Sequence, residues 1–120
     1  MSKKRIQKYI PDAMKVLNDT FQSGVFPSSY NGYISSFGAS VMQSGLLPTL
    51  AIFENQDAKT KEKKELLTTI ILSILDANHS KETLLEYVLT SKEDKRYLKQ
   101  KIMDISIAVK LSLRTFKKGD

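Results

Sequence analysis

Few side chains in this chain are equipped for chemistry. His79 is the only histidine and cysteine is absent, so a zinc site would have to be built almost entirely from carboxylates, and disulfides and thiolate ligands are excluded. In the turn Asn78-His79-Ser80 the imidazole reads as a solvated loop residue rather than a ligand or general base. Ser35, Ser36, Ser40 and Ser44 would be nucleophiles only beside an activating base, and without one they read as small packing residues. The segment 32–38 begins and ends in glycine but lacks the spacing, the Lys-Ser/Thr ending and the preceding strand of a phosphate loop. The acidic residues mostly sit beside lysines on predicted helix surfaces, where no apolar setting would tune a catalytic pKa. The expectation is a protein without catalytic residues, metal, cofactor or small-molecule substrate, acting by binding.

The charge says what it could bind. Nineteen Lys and Arg oppose thirteen Asp and Glu, a net +6 with pI near 9.5, which suits a nucleic acid or another anionic surface. A lysine-rich coat serving only solubility has the same net charge. Where the charges fall decides between them, and that depends on the elements that carry them.

Apolar residues recur with helical period throughout the 120 residues, and no segment sustains a two-residue alternation. The class is therefore all-α: one compact domain, residues 1–120, of five or six helices ending in a long C-terminal helix. Ile6, Ile10, Ala13, Met14, Leu17 and Phe21 keep one phase across Pro11, which predicts a kinked helix or a turn feeding a helix that starts at Pro11. Ser28 and Ser29 supply a cap for a second helix with the stripe Tyr30, Tyr33, Ile34, Phe37, Val41 and Met42. Its other positions are small (Gly32, Ser35, Ser36, Gly38, Ala39, Ser40), which predicts a close approach of another helix. Pro48 sits in the first turn of a short third helix running to about Phe53. The polar run 54–64 reads as an exposed loop. A fourth helix from near Lys63 carries Leu66, Leu67, Ile70, Ile71, Ile74 and Leu75 as the centre of the core, and Asn78 and His79 end it. Ser80 is expected to cap the fifth helix and Ser91 the sixth. The apolar run 66–75 is broken by Thr68, Thr69 and Ser73 and is shorter than the ~20 residues of a membrane span. The basic start lacks the apolar stretch of a signal peptide, so the expected location is cytoplasmic, with no membrane partner.

On the last helix, projection at 100° per residue gathers Leu98, Ile102, Ile105, Val109, Leu113 and Phe116 into one buried seam. Lys92, Arg96, Lys99, Lys110, Arg114 and Lys117 then fall within about 60° of one another along roughly 40 Å, broken only near Met103 and Ser106-Ile107. A cationic rail of that length suits several phosphates of one strand. Lys4, Lys8 and Lys15 share the outer face of the first helix and could form a second rail of the same groove. The rail is mostly lysine with no interleaved aromatic, which favours phosphate contact over base readout. Met103, Ile107 and Leu111 point away from the seam, either towards a neighbouring subunit or into a sixth helix more enclosed than the seam implies.

Tyr30, Tyr33, Phe37 and Val41, followed by Ser44-Gly45-Leu46 and Thr49-Leu50-Ala51-Ile52-Phe53, resemble the small subunit of the type III-B CRISPR Cmr effector complex, and the layout agrees over nearly the whole chain. The resemblance implies a non-catalytic, RNA-binding antiviral-defence subunit. Several copies would stack as a minor filament beside the subunits that grip the guide RNA, with the basic surface lining the channel for target RNA. Its implied partners are target and guide RNA, other Cmr-type subunits and further copies of itself. Tyr30, Tyr33, Gly45, Leu46, Leu50, Ala51 and Phe53 would mark the fold rather than bind. The alternative is a helical adaptor whose basic surface meets an acidic protein and never touches nucleic acid.

Overall fold

The stripe of the first segment is long enough to hold one helix together across its proline. Helix α1 (Lys3–Thr20) contains Pro11 and buries Ile6, Ala13 and Leu17 on both sides of it. Pro11 itself faces solvent, where the amide it lacks costs least. The computed structural model describes residues 3–54, 65–76 and 83–119, with residue 65 and the last three by backbone only. After Gly24, at φ 76°, the chain extends as β1 (Val25–Pro27). Helix α2 (Ser29–Ser44) follows; Ser28 stands at its cap but makes no side-chain cap hydrogen bond. Gly45, at φ 95°, turns α2 into α3 (Leu46–Phe53), a conformation open to glycine at little cost. The Thr49 hydroxyl donates to the Gly45 carbonyl at 2.8 Å and lies 2.7 Å from the Ser40 hydroxyl, fastening the corner.

Helix α4 (Glu65–Leu75) is the centre of the core. Leu67, Ile70, Ile71, Leu72 and Ile74 are buried, and so is Thr68. The helix packs against α1, α2 and α3 and against the two that follow it, α5 (Leu84–Thr90) and α6 (Lys95–Leu113). Enclosure on nearly all sides explains why its apolar face is broader than a surface helix needs.

Several expectations shift at the element ends. The side chain that caps α5 is Thr83, which accepts from the Glu86 amide at 3.0 Å, while Ser80 lies outside the described residues, as do Lys63, Asn78 and His79. Residues 55–64 of the predicted loop are outside them too. Glu54 is half-buried and accepts from the amides of Leu84 and Leu85 at 3.2 and 2.9 Å, closing the start of α5 from 30 residues upstream. Helix α6 begins later than its serine suggested: Asp94 is the cap, accepting from the Arg96 amide at 2.8 Å, and Ser91 instead accepts from the Glu93 amide at 3.1 Å. The helix ends at Leu113, and the chain then forms β2 (Lys117–Gly119), parallel to β1. This short pair ties the exit of α1 to the exit of α6.

The predicted seam of α6 is buried at Leu98, Ile102, Ile105, Val109 and Leu113, and Phe116 is half-buried. Burial extends to Asp104, Ser106, Ala108 and Ser112, so α6 is enclosed well beyond one seam. Of the family markers, Tyr30, Leu46, Leu50 and Phe53 lie in the core. Ring contacts between Phe21 and Tyr30 (5.8 Å), Tyr30 and Tyr33 (5.6 Å) and Phe37 and Phe53 (5.3 Å) link them. Met42, expected on the buried stripe of α2, is 68% exposed; it sits one residue beyond buried Val41, past the width of the face that α4 and α6 cover.

Candidate nucleic-acid interface

Helix α6 has two unlike sides. Towards α1, against which it packs, charges are paired. Arg5 Nε donates to buried Asp104 at 3.0 Å, and the amide oxygen of Gln100, assigned to face the same guanidinium, accepts at 2.7 to 3.1 Å. Lys101 Nζ bonds to Glu93 at 3.2 Å and stands 4.5 Å over the Tyr97 ring. Burial pulls the Lys101 pKa down, but the hydrogen bond and charge of Glu93 outweigh it and the net shift is upward. Burial likewise raises the Tyr9 phenol, against the opposing pull of Lys101. All of these groups but Glu93 border a cleft of about 90 Å³ that also includes Lys8.

The other side carries the predicted rail. Lys92, Arg96, Lys110 and Arg114 are exposed and Lys99 is half-buried. Among the described residues none of the five forms an ion pair. The rail is not continuous, because α2 crosses α6 at the gap: a Cβ added at Gly38 would lie 3.7 Å from the Met103 methyl, Ser106 is buried, and Met103 and Ile107 are half-buried against the core. Of the small α2 residues, Gly38 provides the close approach to α6 and Ser40 meets α3 through Thr49. Gly32 faces open space, and Ser35, Ser36 and Ala39 are exposed. The result is two cationic patches, Arg96 and Lys99 near the start of α6 and Lys110 and Arg114 at its end. The side chain of Lys117 lies outside the described residues; its backbone pairs with Val25.

Lys4, Lys8 and Lys15 are exposed on α1. Tyr97, Lys101 and Asp104, which mark the α1 side of α6, project roughly 80–140° round that helix from Arg96, so the face of α6 that meets α1 is not the face that carries the rail. Lys8 Nζ lies 5.2 Å from the Tyr9 ring. Of Met103, Ile107 and Leu111, only Leu111 is exposed, at 36%.

Two features lay outside the sequence reading. Tyr97 is 51% exposed, an aromatic beside cations that is missed when only the rail is projected; its spacing of four from Lys101 was the available signal. The second is an apolar groove of about 320 Å³ where α3, α5 and α6 meet, lined by Leu46, Leu47, Pro48, Val88, Lys95, Arg96 and Lys99. It joins three elements distant in sequence, so no local pattern announces it.

Among the described residues no cluster of His, Cys, Asp or Glu could hold a metal ion, and no helix is long and apolar enough to cross a membrane. No curated protein and no solved structure matches the chain. A family model described as CRISPR-associated protein (Cas_Cmr5) matches residues 5–110, a span that runs from the first turn of α1 through most of α6 and holds every marker from Tyr30 to Phe53. On that match the chain belongs to the Cas_Cmr5 family and is a subunit of the CRISPR Cmr complex, the assignment to which its motif residues had pointed.

Proposed function

We propose that this subunit is non-catalytic and holds target RNA in the complex through sequence-independent phosphate contacts, stacking with further copies of itself as a minor filament beside the subunits that grip the guide RNA. The observation that carries the reading is the set of exposed cations without an ion-pair partner among the described residues, Lys4, Lys15, Lys92, Arg96, Lys110 and Arg114, with half-buried Lys99. Lys8, exposed beside Tyr9, extends the set. Exposed cations that spend no charge on intramolecular pairs are available to a polyanion. The patches flank the α2 crossing, so a strand would touch the surface at separate places rather than follow one rail. Lys117 belongs to the proposed set by its place in the sequence.

The test replaces Lys4, Lys8, Lys15, Lys110 and Arg114 together by Ala and measures retention of target RNA by the assembled complex over a salt series. Each lost contact to a single strand should reduce the slope of log K against log salt by about 0.7, with helix content unchanged. Unchanged retention and an unchanged slope would discard the reading. Contact between copies is proposed through Met103, Ile107 and Leu111, of which Leu111 is the accessible member. Leu111→Glu should lower the copy number per complex by native mass spectrometry, and full occupancy would exclude that contact.

A further inference from the structure

The groove between α3, α5 and α6 combines an apolar lining with a cationic rim. Its lining is aliphatic: Leu46 and Leu47 open α3, Pro48 follows them, and Val88, itself sealed from solvent, lies behind. Its rim is cationic. Lys95 is spent within the fold, its ammonium donating to the carbonyl of Val88 near the end of α5, which locks α5 to the start of α6. Arg96 and Lys99 are the remaining cations, and neither pairs with a carboxylate among the described residues. Leu47 keeps 38% of its surface exposed at the mouth.

We propose that this groove docks an acidic segment of a neighbouring protein subunit, which sets an apolar side chain against Leu47 and Pro48 and its carboxylates against Arg96 and Lys99. The volume, at the small end of ligand clefts, holds an anchoring side chain or two. A nucleobase is the poorer occupant. The side chains of Leu46, Leu47, Pro48 and Val88 carry no donor or acceptor for its edges, and no aromatic lines the groove to stack on it. A second copy of this chain is disfavoured by charge, since it carries +6 to a rim that is already positive. An acidic segment satisfies both parts of the surface, an apolar anchor at the centre and charge complementarity at the edge. Arg96 and Lys99 stand in the proposed RNA-contacting set as well, and two side chains cannot serve a phosphate and a carboxylate at once; with the groove occupied, RNA contact falls to Lys4, Lys8, Lys15, Lys92, Lys110 and Arg114, the group from which the RNA test draws its variants.

The test titrates the full-length protein with a synthetic peptide of Glu and Leu, its Leu residues at helical spacing, alongside a Lys and Leu counterpart and oligouridylate. The acidic peptide should bind, and added salt should weaken it. Leu47→Glu should weaken it about tenfold, as loss of a central anchor does. The pair Arg96→Glu and Lys99→Glu should lose the acidic peptide and take up the basic one instead. Lys110→Ala with Arg114→Ala should leave peptide binding unchanged. If Leu47→Glu impairs folding, as read by circular dichroism, the charge-swap pair carries the test alone. Absence of acidic-peptide binding up to about 1 mM, equal binding by the charge-reversed pair, or loss of oligouridylate binding or self-association in its place would overturn the proposal.

Discussion

The two sides of α6 are both rich in cations but use them in opposite ways. On the side towards α1, Arg5 and Lys101 meet Asp104 and Glu93 at 3.0 and 3.2 Å, and Gln100, Tyr97 and Tyr9 complete a network closed on itself. On the other side Arg96, Lys99, Lys110 and Arg114 meet no carboxylate among the described residues. The difference lies in what packs opposite. Helix α1 brings Arg5 against a buried carboxylate, which needs a cation, whereas the elements beside the rail bring Gly38 of α2 and Leu46, Leu47 and Pro48 of α3. Basic residues in this protein are therefore structural where a neighbouring helix answers them, and available to partners where it offers only apolar or small side chains.

The largest effect is expected at Arg5. Arg5→Ala strips the guanidinium from Asp104, whose side chain is 5% exposed, and leaves a carboxylate buried with fewer donors. Because the Arg5 side chain is itself 47% exposed, solvent discounts the full cost of opening a buried pair. The expected loss is about 1–3 kcal/mol, seen as a lower urea midpoint. Arg96→Ala and Lys99→Ala should each stay within about 0.5 kcal/mol of the parent. Equal losses on both sides would mean the unpaired cations also serve the fold.

That asymmetry was only partly legible in the sequence. Periodicity carries burial well where one face is covered, as with Ile6, Ala13 and Leu17 on α1 or Leu98, Ile102 and Ile105 on α6. It fails where a second neighbour covers another face. Asp104 looked like a surface acid beside lysines because its partner lies 99 residues away. Glu54 looked like the start of a loop because the amides it accepts from belong to α5. The break in the rail at Met103 was visible, but its cause, α2 crossing there, depends on which small residue of α2 meets α6. The pair β1 with β2 spans three residues on each side, too short for alternation to register. The family markers are a mixture: Tyr30, Leu46, Leu50 and Phe53 are core residues, a packing pattern that survives without knowledge of partners, whereas Ala51 is exposed. Tests of the unpaired side must likewise address packing as well as charge.

Gly38 sharpens the boundary between the two cationic patches. A Cβ there would meet the Met103 methyl at 3.7 Å, an ordinary contact, and glycine within a helix costs roughly 0.5–1 kcal/mol relative to alanine. Gly38→Ala should therefore raise stability by about that amount in a thermal melt, with the patches unmoved. Gly38→Leu adds three carbons beyond that contact and should push α2 off Met103, lower the melting temperature and increase solvent exposure at Met103, read by its rate of oxidation. A Leu variant as stable as the Ala variant would show that α2 does not press on α6 at this point.

The smallest effect concerns the paired side at high pH. The pKa of Lys101 is raised above 10.5 by Glu93 despite burial, and that of Tyr9 above 10.0 by burial. A folded-state pKa above the unfolded value stabilises fully below the unfolded pKa and stops doing so as pH rises through the folded one. Both groups therefore withdraw support in the same direction, from about pH 10 upward. Since Lys101 and Glu93 keep 22% and 38% of their side chains exposed, the contribution should be below about 1 kcal/mol. Lys101→Met keeps the stem and removes the charge, so its urea midpoint should start slightly lower at pH 8 and fall less between pH 10 and 11.5 than that of the parent. Lys99→Met, on the unpaired side, should follow the parent throughout. If the Lys101 and Lys99 variants trace the same curve, the pairing with Glu93 does no more for the fold than an unpaired lysine does, and the contrast between the two sides of α6 would rest on Arg5 and Asp104 alone.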